Sequence, residues 1–177
     1  MERDPAVIAL TIPDAAEMEA LGARLAPLLR AGDLVLLNGE LGAGKTTLAR
    51  GLGAALGARG AVTSPTFVLA REHPTASGVP LVHVDAYRLA TGRELDDLDL
   101  DYEHGIVVVE WGAGKLDGVS DSWLSVDIER PLGSSAGADA AALADPEELE
   151  LDEPRQVTIT GHGPRGTELE ALLAAAE

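Results

Sequence analysis

Lysine and threonine stand side by side at Lys45-Thr46, behind a run spaced by glycine. The string Gly39-Glu40-Leu41-Gly42-Ala43-Gly44-Lys45-Thr46 has the form G-x-x-x-x-G-K-T, the phosphate-binding loop or P-loop. Glycines let successive backbone N–H groups, those of Leu41, Gly42, Ala43 and Gly44, turn inward as an anion nest. The helix that follows aims its positive end at the same phosphates. Lys45 is placed to reach the β/γ-phosphates, and the Thr46 hydroxyl to ligate Mg²⁺. The chain has only two lysines, Lys45 and Lys115, against eleven arginines, so a lysine at this position stands out. A planar guanidinium does not replace a compact ammonium there. The later string Gly112-Ala113-Gly114-Lys115 lacks the first glycine and is followed by Leu116, and reads as a loop with no second nucleotide site.

A P-loop enzyme also needs a carboxylate near the phosphates, to hold Mg²⁺ or orient water. Asp85 follows Leu81-Val82-His83-Val84, and Glu110 follows Val107-Val108-Val109. Each ends an apolar strand, where open α/β sheets bind ligands. The competing reading for either is an ordinary solvated strand-end acid. Which of the two lies nearer the metal stays open. Thr63-Ser64-Pro65-Thr66 clusters hydroxyls beside a rigid proline and reads as a segment that senses the γ-phosphate. Trp111 either walls the nucleotide pocket or packs the edge of the core. His83 alternates with the apolar positions of its strand and reads as a packed or surface histidine. The acids from Glu94 to Glu103 read as a solvated face.

The elements that must position these residues follow from periodicity. Residues 6–12 form a first strand. Pro13 opens a helix, with Asp14 and Glu17 spaced as a capping pair. Met18, Leu21, Leu25, Leu28 and Leu29 make its apolar stripe, and Gly32 stops it. Strand 33–38, the P-loop and helix 45–57 come next. Residues 67–72 and 80–85 are strands joined by a turn. The β-branched run 106–109 marks a strand buried on both faces. Residues 123–129 and 155–161 alternate like antiparallel strands, and Leu169, Leu172, Leu173 and Ala176 give a last helix its apolar face. Between those strands, residues 131–154 are rich in small and acidic residues and hold no Lys or Arg, as expected of an exposed insertion.

At 177 residues the chain is expected to form one domain. Its net charge of −17 argues against a nucleic-acid surface of its own. The sequence contains no cysteine, which excludes disulfides, thiolate catalysis and Cys-zinc sites. No secretory pattern opens the chain and no apolar run approaches a membrane span, so a cytoplasmic protein without membrane contact is expected.

Four segments stand in one order: GELGAGKTT at 39–47, SPTF at 64–67, DAYRL at 85–89 and VEW at 109–111. Together they resemble the TsaE family, formerly YjeE, the P-loop ATPases of bacterial tRNA threonylcarbamoyladenosine synthesis. The similarity spans roughly residues 6–130. The P-loop alone is generic, and the combination is much more specific. The resemblance implies a P-loop NTPase-like α/β fold, a mixed central sheet flanked by helices. It implies ATP and Mg²⁺ as cofactors, with Lys45 on the phosphates and Thr47 as an adjacent phosphate-contacting hydroxyl. It makes Thr66 the switch threonine, Asp85 the functional aspartate, Glu110 with Thr46 the magnesium ligands, and Trp111 the tryptophan beside them. It implies TsaB and TsaD as partners that carry the transferase core, with tRNA met only through that assembly. Gly112 departs from the family's proline after E-W, and the 131–154 insertion is extra. Two other classes remain: a nucleotide-gated binding subunit with little turnover, and a small-molecule kinase. No arginine-rich lid supports the kinase.

Overall fold

The computed structural model describes residues 7–62, 70–87, 89, 94, 97–111, 119–130 and 153–176. Seven strands form one sheet: β1 (Ile8–Ile12), β2 (Leu34–Gly39), β3 (Ala70–His73), β4 (Leu81–Asp85), β5 (Ile106–Glu110), β6 (Trp123–Glu129) and β7 (Arg155–His162). Among the described residues, α1 (Ala15–Leu25), α2 (Lys45–Leu56) and α3 (Gly163–Ala175) are the α-helices described from end to end. The strand order is β1-β7-β6-β2-β5-β4-β3. The central strands β6, β2, β5 and β4 run parallel, while β3, β7 and β1 pair antiparallel at the two sides. The sheet is therefore mixed, with a parallel centre and antiparallel flanks.

Alternation along the central strands sorts their side chains between two layers. Val35 and Leu37 of β2, Ile106 and Val108 of β5, and Leu81 of β4 face a core shared with α1, α2 and Leu169 and Leu173 of α3. Leu34, Leu36, Val82, Val84, Val107 and Val109 face the other way, against Ala86, Leu89, Leu98, Leu100 and Tyr102. All five residues of β5 are buried, as its apolar run predicts. By the same period, Glu110 shares the α2 side with Val108, and His83 and Asp85 share it with Leu81. Two of the carboxylates sought by the sequence reading thus point to the layer that holds the P-loop helix.

Helix α1 begins as expected: Asp14 is the N-cap, and its carboxylate accepts from the Glu17 N–H at 2.9 Å. It ends earlier than expected, at Leu25, and a 3₁₀ turn (Ala26–Leu28) follows. Pro27 has no N–H to donate back to Ala23, so the α ladder stops there. Gly32 instead turns the chain into β2, at φ 94°. Helices α1 and α2 meet backbone to backbone: a Cβ on Gly51 would collide with the Glu19 carbonyl, and one on Gly22 with that of Leu48. This close approach sets α2, and with it Lys45 and Thr46, against the sheet.

The apolar face expected of the last helix needs correction. Leu169 and Leu173 are buried, but Leu172 is 42% exposed and Ala176 is exposed. The neighbouring Glu170 is buried instead, accepting from the Gly161 N–H of β7. A buried backbone donor at the end of that strand needs an acceptor, and this position supplies it. The antiparallel pair β6–β7 forms where the sequence places it, while the first strand of the hairpin β3–β4 runs from Ala70 to His73, one residue past its expected end, and residues 67–69 lie outside the described residues. The insertion expected at 131–154 lies outside the described residues except for Glu153 and Pro154, and the Gly112–Lys115 string lies outside them entirely.

Candidate phosphate-binding site

The P-loop joins the C-terminal end of β2 to the N-terminus of α2. Gly39, Gly42 and Gly44 adopt φ of 156°, 77° and 112°, and Gly44 is the N-cap of α2. A side chain at Gly39 would press on the Ile128 carbonyl at 2.7 Å and on the Ala43 Cβ at 2.9 Å. Only glycine lets the loop lie this close to β6. Leu41 points outward, 63% exposed, so its part in a phosphate site is its backbone N–H. Ala43 and Thr47 are buried beneath the loop.

Lys45 is 5% exposed, and its ammonium donates to the Gly39 carbonyl at 2.7 Å and to that of Glu40 at 2.8 Å. The same ammonium lies 3.8 Å from the centroid of the Trp111 ring. Trp111 takes a left-handed backbone, φ 65°, and its N–H donates to the Leu37 carbonyl at 3.1 Å. That conformation is costly for a bulky residue, and here it folds the indole back over the P-loop lysine. Tyr87 meets the indole edge-on at 5.0 Å. The indole thus covers the Lys45 ammonium and meets Tyr87 at its edge.

Strands β4 and β5 pair in parallel with Asp85 opposite Glu110 and His83 opposite Val108. Glu110 is 3% exposed and is held from two sides. The Thr46 hydroxyl donates to its Oε1 at 2.9 Å, and His83 Nε2 lies 2.5 Å from its Oε2. A hydroxyl whose hydrogen is committed to a carboxylate turns its lone pairs elsewhere, and the carboxylate keeps acceptor capacity of its own. Hydroxyl and carboxylate oxygens are hard donors, which fits magnesium, a cation that takes one or two protein oxygens and fills the rest with water and phosphate. Among the described residues no group of three or more His, Asp or Glu forms a metal cage of its own. Asp85 stands beside Glu110, but its Oδ1 accepts from the Tyr87 N–H at 2.9 Å. The structure thus brings Lys45, Thr46, Glu110 and Trp111 into direct contact, with Asp85 one strand away. Thr66 lies outside the described residues.

Two contributors escape the sequence reading. His83 is not merely packed. It is buried and bonded to Glu110, and the signal available in the sequence is its position two residues before Asp85, on the same strand face. Arg155, 4% exposed at the start of β7, donates from Nε to the Ala43 carbonyl at 3.2 Å and from Nη2 to that of Gly42 at 3.3 Å. Its Nη1 donates to the Glu153 carbonyl at 2.7 Å. The fork braces the P-loop from behind, across more than a hundred residues of sequence. Arg155→Met is expected to cost about 2 kcal/mol of stability, as for lost hydrogen bonds of a charged group, and to weaken nucleotide binding about tenfold. Lysine at this position should restore only part, since it lacks the fork. Urea unfolding and nucleotide titration measure both, and parental values in Arg155→Met would refute the brace.

Beside the loop, Asn38, Gly39, Glu40, Trp111 and residues 127–130 border an open cleft of about 590 Å³. Asn38 donates to Asp127 across its floor at 2.9 Å.

A parallel-centred α/β sheet with the P-loop between its middle strand and the following helix defines a P-loop NTPase-like protein. The family profile described as threonylcarbamoyl adenosine biosynthesis protein TsaE matches residues 12–134. The chain belongs to the TsaE family. It is 55% identical over 152 residues to the tRNA threonylcarbamoyladenosine biosynthesis protein TsaE of Streptomyces coelicolor, covering 84% of this chain and 93% of that one. The protein of the same name from Mycobacterium bovis is 48% identical over 130 residues, covering 68% of this chain and 77% of its own. The crystal structure of Bacillus subtilis YdiB superposes with a TM-score of 0.69 at 26% identity, covering 99% of each chain.

Proposed function

We propose that this protein is a magnesium-dependent ATPase that supports threonylcarbamoyladenosine modification of tRNA. The observation that carries the reading is the Thr46–Glu110 hydrogen bond of 2.9 Å, which ties a P-loop hydroxyl to a strand-end carboxylate in one part-buried site. On this reading the turned N–H groups of residues 41–44 and the start of α2 receive the β- and γ-phosphates. Lys45 leaves the Gly39 and Glu40 carbonyls for the phosphates and neutralises charge as the γ-phosphoryl departs. Thr46 and Glu110 would hold magnesium, which would supply compensation for the phosphate charge. Asp85, beside Glu110, orients the attacking water. Trp111 and Tyr87 shield one side of the phosphates, and the cleft beside Asn38 and Asp127 accommodates the nucleoside. Thr66 reports the γ-phosphate. ATP rather than GTP follows from family membership.

Glu110→Gln is the direct test. Turnover is expected to fall by about two to three orders of magnitude, the usual loss when a group that stabilises transition-state charge is removed. ATP affinity should change by less than about threefold, because the backbone nest supplies most of it. Release of free phosphate and binding of a fluorescent ATP analogue are measured side by side. Unchanged turnover would remove Glu110 from the chemistry. Tight binding by the parent chain with no turnover would favour the nucleotide-gated subunit, and phosphate delivered to a metabolite would favour the kinase.

The modification itself is assigned to partners of the TsaB and TsaD type, in the cytoplasm, as family membership implies. Among the described residues no helix is long and apolar enough to cross a membrane. Contact with tRNA passes through those partners, because a net charge of −17 repels a phosphate backbone. Filter binding of tRNA at moderate salt should detect no complex at micromolar protein, with or without ATP. Retention at or below micromolar concentration would contradict this.

A further inference from the structure

The geometry points to His83 as a positioning residue that fixes the Glu110 carboxylate toward Thr46. The inference rests on the reading of Glu110 as the magnesium carboxylate and adds to it the residue that sets its orientation. His83 is 1% exposed in the middle of β4, on the face turned to α2. Parallel pairing places it opposite Val108, one diagonal step from Glu110 on the neighbouring strand. Its Nε2 meets Glu110 Oε2 at 2.5 Å, while Glu110 Oε1 accepts from Thr46 at 2.9 Å. The carboxylate is therefore pinned by one donor from each side, and its rotation about the last side-chain bond is fixed.

The imidazole's other nitrogen settles which atom carries the hydrogen. Nδ1 is buried and has no hydrogen-bond partner among the described residues. A buried N–H left unpaired costs more than a buried lone pair beside apolar groups, and a carboxylate can only accept. The proton sits on Nε2, and His83 donates it to Glu110. A histidine buried on a valine-rich strand, with one nitrogen left without a hydrogen-bond partner among the described residues, is a poor choice for packing alone. Val, Ile or Leu would fill the place without the polar cost. Such outer partners orient metal-binding carboxylates, and their loss typically lowers metal affinity about 10–100-fold.

The experiment uses the 177-residue chain and three substitutions. His83→Leu removes the donor. His83→Gln restores an N–H at the reach of Nε2, three bonds from Cβ, whereas His83→Asn places its amide one bond short. Mg²⁺ is titrated against a fluorescent ADP analogue, and the half-saturating Mg²⁺ is read without any turnover. His83→Leu and His83→Asn are expected to raise it about 10–100-fold. His83→Gln should return it to within about threefold of the parent, and binding of the analogue without metal should be unchanged in all three. In the metal-free parent, the ¹⁵N-labelled His83 imidazole should show its proton on Nε2, with a downfield resonance that disappears in Glu110→Ala.

Parental Mg²⁺ dependence in a folded His83→Leu would overturn the proposal. So would equal defects in all three variants that track thermal stability, the mark of a structural histidine, or a proton found on Nδ1. If Mg²⁺ leaves analogue binding to the parent unchanged, the metal reading of Glu110 falls instead. The imidazole spectrum then still decides whether His83 holds that carboxylate.

Discussion

Lys45→Ala is expected to reduce ATP turnover at least about 100-fold, the scale of losing one preorganised charge-stabilising donor. The folded state should lose only about 1–2 kcal/mol, which for a chain of this size lowers the midpoint by roughly 2–8 °C. The two effects separate because of where the side chain's partners lie. Its ammonium serves the Gly39 and Glu40 carbonyls and the Trp111 face, and all three residues border the open cleft. Removing the ammonium exposes those carbonyls to water, which satisfies them. Lys45→Arg should fail nearly as badly, since a planar fork does not fit between two loop carbonyls and an indole. Phosphate release and a thermal scan on the same samples check both halves. Parental turnover from a folded Lys45→Ala would refute the phosphate role. A midpoint lowered by more than about 15 °C would make this lysine structural.

The P-loop was legible because its signal is local: glycines, lysine and threonine stand within eight consecutive residues, and the pattern can be read without the distant contacts that brace the loop. Asp85 and Glu110 were legible for a similar reason, each ending an apolar strand whose period places it. The orientation of Glu110 was not, because the Glu110–His83 contact depends on parallel pairing of β4 with β5. That register is fixed only when residues 81–85 and 106–110 meet in the sheet. Arg155 shows the same limit more strongly. Nothing beside it in sequence hints that its fork reaches Gly42 and Ala43. The mixed sheet followed from the resemblance, since alternation gives strands but not their order. Two local errors have local causes. Pro27 ends α1 before Gly32 does, and Glu170 displaces Leu172 from the buried face of α3 because the Gly161 N–H needs an acceptor.

Arg165→Met should cost about 3–5 kcal/mol of stability, the usual result of stripping the partner from a buried charge. Arg165 opens α3 and forks onto Asp33, Nε to Oδ1 at 2.8 Å and Nη2 to Oδ2 at 2.7 Å. It also donates to the Leu28 carbonyl at 2.9 Å and to Glu168 at 2.8 Å. The Asp33 hydrogen bonds hold its guanidinium above the usual arginine range. The Asp33 side chain is 2% exposed and has one other acceptor duty, from the Arg30 N–H at 2.8 Å. Without the fork its charge is left buried just ahead of β2, and α3 loses its tie to the turn at 26–33. The site should be spared in molecules that remain folded. Asp33 precedes β2 and the P-loop follows it, so six extended residues, about 20 Å, separate them. Adding Asp33→Asn to Arg165→Met removes the unpaired charge and should recover about half of the loss. Urea unfolding of both variants, with turnover per folded molecule at low denaturant, is the measurement. A loss below about 1 kcal/mol would place this pair among surface ion pairs. A fall in turnover per folded molecule would mean that the N-terminal end of β2 is coupled to the phosphate loop at its other end.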